Sequence, residues 1–217
     1  MDKPAGITSH DVVQLARKTY GQRSVGHLGT LDPFATGLLV LLLGRSTRLA
    51  RFIEGEPKVY RAVIRFGSET DTDDVTGIVT REASLPSDVS VRAGVEKLTG
   101  DILQMPPAYS AKSVEGVRAH DAARRGEPLD LKPCEVTVHR WEIEESGSDK
   151  LVASITCGGG TYIRALARDL GRITGSAAHL VELRRTRVGE FRVENAVSTA
   201  ELVASAPALR ALRVVAQ

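Results

Sequence analysis

The chain has 217 residues, 42% hydrophobic and 26% charged, a balance that excludes dominant disorder and supports a buried core of one or two domains. Two cysteines, Cys134 and Cys157, are too few for a disulfide-stapled secreted module, and the longest apolar run, Leu38 to Leu43, falls far short of the roughly 20 residues of a membrane-spanning helix. The net charge of +2 is unevenly spread: residues 1–55 hold seven basic and four acidic side chains, residues 66–103 three and eight, and residues 161–192 seven and three, all seven being arginine. Arginine suits phosphate, although a solvated helix face explains the same run.

The N-terminal MDKPAGITSH lacks the basic and apolar regions of a signal peptide, so a reducing, cytoplasmic setting is expected. Ser9, followed by Val12, Val13, Leu15 and Ala16 with Gly21 beyond, reads as a capped amphipathic helix with a terminating glycine. A loop from Val25 to Gly37 follows, and the run LLVLLLG behind it reads as helical. Val59–Phe66 alternates as a strand, with Tyr60, Ala62, Ile64 and Phe66 on one face, and Thr76–Thr80 supplies a short partner. Val91, Val95 and Leu98 before Gly100 mark a helix, and strands are expected at Asp101–Gln104, Val136–Glu144 and Leu151–Cys157. The last runs through Gly158–Gly160 into the helical TYIRALARDLG, and TRVGEFRV forms a basic hairpin. Strands outnumber possible crossover helices, so the fold class is α+β, with a mixed, mostly antiparallel sheet flanked by helices. The polar stretch from Ser110 to Pro133 protrudes as an insertion.

Few chemical constellations survive inspection. Histidines 10, 27, 120, 139 and 179 show no metal-ligand spacing. The run Asp71–Asp74 places Val75 where a calcium loop needs a ligand and lacks the glycine at 76, so it reads as a solvated acidic turn. Gly158–Gly160 serves either as a phosphate cradle or as a turn for close strand–helix packing. No nucleophile elbow is present. Asp32 lies between Leu31 and Pro33 in the glycine-rich loop, where a carboxylate is partly desolvated, fixed in direction and in need of a cation. The same placement suits an N-cap for a following helix, and both readings stand at this point.

The loop reads Gly26-His27-Leu28-Gly29-Thr30-Leu31-Asp32-Pro33-Phe34-Ala35-Thr36-Gly37. Here the sequence resembles the bacterial TruB-type tRNA pseudouridine synthases, whose signature is Gly-His-x-Gly-x-Leu-Asp-Pro-x-Ala-x-Gly. The likeness continues in Asp2-Lys3-Pro4 with Gly6 and Thr8-Ser9, Lys58-Val59-Tyr60-Arg61, Thr70-Asp71-Thr72 with Asp74, Gln104 to Ala111, Gly160-Thr161-Tyr162-Ile163-Arg164, and Leu183-Arg184-Arg185. The resemblance implies the pseudouridine synthase fold and isomerisation of uridine 55 in the tRNA T-loop, with no cofactor or metal. It implies that Asp32 is the essential carboxylate and Arg164 its cationic partner. Tyr60 stacks on the target base, Tyr162 and Leu183 line the pocket, and His27 fills the space vacated by the flipped nucleotide. Arg184, Arg185 and Arg187 are expected to follow the RNA backbone, and Lys3 is left outside the active-site set as a possible exposed strand lysine.

On this reading residues 1–193 are the catalytic domain, with an RNA-contacting insertion at about 110–133, and residues 194–217 are a tail too short for a complete C-terminal RNA-binding domain. A monomer without membrane contact, partnered by the T-arm of tRNA, is expected. Two departures from the family pattern stand out: Ala111 is followed directly by Lys112 and Ser113, and His120 replaces a common tyrosine. The alternatives are an RNA-binding module or tRNA chaperone without catalysis, and a nucleotide-binding enzyme using the triple glycine.

Overall fold

The computed structural model describes residues 1–53, 55–110, 112–114, 116–127 and 129–204. Ala111 and the tail beyond 204, to which sequence readings were attached, lie outside the described residues. In chain order come β1 (Asp2–Lys3), α1 (Ser9–Tyr20), β2 (Val25–Leu28), β3 (Thr36–Leu38), β4 (Val40–Leu43), a 3-10 turn (Gly44–Leu49) and α2 (Ala50–Ile53). Next are β5 (Lys58–Phe66), β6 (Ser68–Thr70), β7 (Val79–Glu82), α3 (Asp88–Lys97), β8 (Gly100–Gln104), β9 (Ser113–Val114), β10 (Val117–Arg118) and α4 (Ala119–Arg124). The chain closes with β11 (Cys134–Ser146), β12 (Lys150–Cys157), α5 (Ile163–Ile173), β13 (Ala178–Val188), β14 (Phe191–Arg192), a 3-10 turn (Val193–Asn195) and α6 (Thr199–Ala204). Two units divide these elements: residues 1–60 with 183 onward, and residues 61–182.

In the first unit β1 pairs antiparallel with β3, β3 parallel with β13, and β13 antiparallel with β14 in the expected hairpin. The run from Leu38 to Leu43, expected as helix, is strand. β4 pairs antiparallel with β2, Val25 opposite Leu43 and Leu28 opposite Val40, while the Leu39 N–H donates to the Met1 carbonyl at 2.8 Å. Leu28, Leu38, Val40, Leu42, Val188 and Val193 form one core cluster. A continuous apolar run cannot by itself separate a helix from a strand buried on both sides, and pairing partners on β1 and β2 decide the matter. With no helix behind it, Asp32 has no N-cap role.

Helix α1 begins one residue earlier than its sequence cap suggested. Thr8 accepts from the Asp11 N–H at 3.0 Å while Asp11 accepts from the Thr8 N–H at 2.8 Å, a reciprocal capping box, and Gly21 ends the helix in the left-handed region at φ 58°. Ser9 is thereby freed for another task. Val13 and Ala16 of α1 pack with Val25 and Leu202.

In the second unit β8, β11 and β12 form an antiparallel series, with Val136 opposite Ile102 and Trp141 opposite Ile155. β6 pairs with β7, whose start at Val79 corrects the expected Thr76–Thr80 strand; β9 pairs with β10 inside the insertion. Helices α3 and α5 fall where periodicity placed them. β5 alternates at its arginines, Arg61 and Arg65 exposed and Tyr60, Ala62, Ile64 and Phe66 buried, while Val63 on the arginine face is buried as well. The observed class is α+β with mostly antiparallel pairing. No described helix is long and apolar enough to cross a membrane.

Candidate active site

Asp32 sits in the loop between β2 and β3, half-buried, with the main chain fastened on both of its neighbours. The Ser9 hydroxyl accepts from the Leu31 N–H at 2.9 Å and donates to the Leu31 carbonyl at 3.1 Å. On the other side the Pro33 carbonyl accepts from the Gly6 N–H at 2.8 Å and from Lys3 Nζ at 3.3 Å. The Ala35 N–H closes the turn onto the Asp32 carbonyl at 3.1 Å. The main chain that carries Asp32 is therefore fixed on both sides of it.

Lys3, for which an exposed strand position was one reading, is fully buried, and its ammonium also donates to the carbonyls of Pro4 and Ile7, both at 2.8 Å. Burial pushes its pKa down while the charges of Asp32 and Asp11 oppose that shift, so Lys3 lies in the field of the candidate carboxylate. Ser9 and Lys3 were both missed as site residues. The signal was there, since each precedes the loop in the quoted motifs, but only the fold shows what they fasten.

His27, on β2, is half-buried, and its Nδ1 is enclosed without a hydrogen-bond partner. Burial lowers its pKa below the ordinary 6.5, assisted by the Arg185 and His10 charges. Tyr60 on β5 is buried, with the Arg185 guanidinium carbon 6.0 Å from its ring centroid. Arg185, expected on the RNA backbone, is instead 0% exposed, its Nε donating to Leu38 O at 2.7 Å and its Nη2 to Gly29 O at 2.9 Å. A phosphate has no access to it. Leu183 is buried in β13; Arg184 forks onto both carboxylate oxygens of Asp2 at 3.0 and 2.7 Å, and Arg187 bonds Gly189 O and Glu190. Arg184 and Arg187 are both 39% exposed at the side chain.

The second unit holds Tyr162 and Arg164. Tyr162 precedes α5, half-exposed, and the buried Gln104 amide brackets it: the Tyr162 N–H donates to Gln104 Oε1 at 2.9 Å and Gln104 Nε2 to Tyr162 O at 3.1 Å. Arg164, 5% exposed, donates to the Thr72 and Tyr109 carbonyls, both at 2.9 Å, and its Nε lies 3.7 Å from Asp74. One turn on, Arg168 pairs with Asp73 at 2.8 Å, and Arg172 pairs with Glu69. The acidic run is thus a solvated turn only at the exposed Asp71, for Asp73 and Asp74 are 5% and 4% exposed. Arginines on the buried side of α5 need counter-charges, and this run supplies them. Burial lifts the Asp73 carboxyl to about 6 against the lowering effect of Arg168. Asp74 is held in turn by the hydroxyls of Thr72 at 2.8 Å and Thr76 at 2.5 Å.

Gly158–Gly160 forms a turn in which the Gly158 N–H bonds Thr137 O and the Thr161 hydroxyl returns to Gly158 O at 3.1 Å. Among the described residues no three His, Cys, Asp or Glu side chains converge as a metal site.

The family model of the TruB pseudouridylate synthase N-terminal domain matches residues 17–163, and that of the tRNA pseudouridylate synthase B C-terminal domain matches 164–212. The chain belongs to the TruB family. It is 49% identical over 214 residues to the tRNA pseudouridine synthase B of Thermobifida fusca, covering 94% of this chain and 73% of that one, and 48% identical to that of Rhodococcus jostii, covering 95% and 70%. Among solved structures, the archaeal box H/ACA sRNP Nop10-Cbf5 complex matches with TM-score 0.69 at 27% identity over 94% of this chain and 52% of its own. An H/ACA RNP bound to a substrate RNA containing 2'-deoxyuridine matches at 0.68 and 26%, over 94% and 51%. This TruB-family chain therefore spans about half the length of those structural neighbours.

Proposed function

We propose that the chain isomerises uridine 55 in the T-loop of tRNA to pseudouridine, with Asp32 as the essential carboxylate. The observation that carries this reading is the double fastening around Asp32, at Leu31 by Ser9 and at Pro33 by Gly6 and Lys3. A carboxylate carried on main chain held in that way, half-buried near a buried ammonium, is suited to meet a reacting carbon or proton with little reorganisation. The relatives named for tRNA pseudouridine synthesis supply the substrate class.

The reaction breaks the bond from uracil N1 to ribose C1′ and forms one from C5 to C1′; the C5 hydrogen leaves as a proton and N1 ends protonated, so no oxidant or reductant enters. Asp32 acts either as a nucleophile at a sugar or base carbon or as the base and charge stabiliser of a glycal path. Arg164 is the cation assigned to it. The target uridine is stacked in its loop, and extruding it costs a few kcal/mol. Tyr60 offers the π-face that receives it, Tyr162 and Leu183 line the pocket, and His27, kept neutral by burial, fills the vacated space. Arg184 and Arg187, together with the exposed Lys112, Arg118, Arg124, Arg125 and Lys132 of the insertion, follow the phosphates. A monomer working in the cytoplasm suits this role.

Incubating the purified chain with an unmodified tRNA transcript and mapping pseudouridine tests the reading. Product at the T-loop uridine is expected. Tight binding without product would instead favour a chaperone.

A further inference from the structure

Both ends of the Asp32 loop are shaped around one residue. At one end Gly29 is in the left-handed region at φ 67°, and a Cβ there would lie 3.2 Å from Arg185 Nη1. At the other end Gly37, at φ 101°, stands opposite Arg185 in the parallel β3–β13 pairing, and a Cβ there would lie 2.8 Å from the Arg185 main-chain nitrogen. The guanidinium fills the space that Gly29 leaves, and the Arg185 main chain fills the space that Gly37 leaves. Its Nη2 donates to Gly29 O at 2.9 Å and to Leu28 O at 3.4 Å, and its Nε donates to Leu38 O at 2.7 Å. The same guanidinium carbon stands 6.0 Å from the Tyr60 ring centroid. A fully buried charge satisfied by carbonyls is a costly way to fill a core position that a leucine would fill as well. A planar fork with donors on several edges, however, can hold two strand ends and a ring face at fixed spacing, which neither an apolar residue nor a lysine can do.

We propose that Arg185 is a positioning residue that sets the spacing between the Asp32 loop and the Tyr60 ring by gripping both ends of that loop. The inference rests on the reading of Asp32 as reacting carboxylate and Tyr60 as base platform. Arg185 touches no substrate; its effect is on the single-turnover rate rather than on RNA capture.

The test compares Arg185→Lys, Gly29→Ala and Asp32→Asn with the wild-type chain. Readouts are single-turnover pseudouridine formation on an unmodified tRNA transcript, transcript Kd, the thermal midpoint and the NMR titration of His27. Arg185→Lys keeps the charge, so the His27 titration stays low and Kd stays within threefold, yet the rate falls at least tenfold in the folded fraction. Gly29→Ala leaves Arg185 in place but presses on it, its Cβ 3.2 Å from Nη1, and gives a loss in the same direction, which decides the question should Arg185→Lys fail to fold. A wild-type rate in either folded variant, or a rate loss fully accounted for by unfolded protein, overturns the proposal. Full activity in Asp32→Asn would instead overturn the catalytic reading beneath it, so the two failures are distinguishable.

Discussion

In the first unit a buried arginine, Arg185, satisfies its guanidinium on the carbonyls of Leu28, Gly29 and Leu38; in the second, Arg164, Arg168 and Arg172 repeat every four residues along α5 and meet Asp74, Asp73 and Glu69. Carbonyls do not titrate and carboxylates do. The Arg185 grip on the Asp32 loop is therefore indifferent to pH, whereas the ion pair between Arg168 and Asp73 answers to it. A carbonyl grip fixes the main chain itself, while an ion-pair ladder fixes side chains and leaves a buried charge behind whenever one partner is removed.

The largest effect that would sharpen this contrast is Arg168→Met. It strands Asp73 in the interior and should cost about 3–5 kcal/mol at neutral pH, read by urea denaturation. The cost should shrink toward pH 5. The Asp73 carboxyl is lifted to about 6 in the fold from an ordinary 3.8, so the folded chain binds that proton more tightly than the unfolded one. Its contribution is fully present below the ordinary value and is lost as pH rises through about 6. A cost that does not change with pH would break the comparison.

Next comes Arg164→Leu, expected to lower single-turnover pseudouridine formation about 100-fold while leaving RNA Kd within threefold, the behaviour of a group that acts on developing charge. An equal loss in Kd would make Arg164 a binding residue instead. The smallest effect concerns the first unit, through the titration of His27. Its pKa is lowered from 6.5 by burial, so it contributes stability above 6.5 that is lost as pH falls through the folded value. His27→Gln should flatten the fall in thermal midpoint below pH 6.5, and an unchanged slope would show His27 to be exposed to protons.

The same contrast explains what could be read from the residues. The Asp32 loop was readable because its chemistry is contiguous, from Gly26 to Gly37, and β5, α3, α5 and the β13–β14 hairpin were readable from period and turn residues. The pairing of β4 was not, because Leu38–Leu43 carries no periodicity that separates strand from helix. Asp73 and Asp74 were misread because the arginines that bury them lie about 90 residues away, and a run of acids without visible partners looks solvated. Arg185 was placed on the surface because arginine in a basic stretch ordinarily is; only the close approach of Gly29 and the carbonyls of Gly29 and Leu38 show why a guanidinium belongs inside.

The claim on which the account turns is that the Asp32 carboxylate performs the chemistry, and Asp32→Asn tests it directly. On an unmodified tRNA transcript the account predicts binding within a few fold of wild type and loss of pseudouridine at the T-loop uridine. Product formed at the wild-type rate by the folded variant would contradict it.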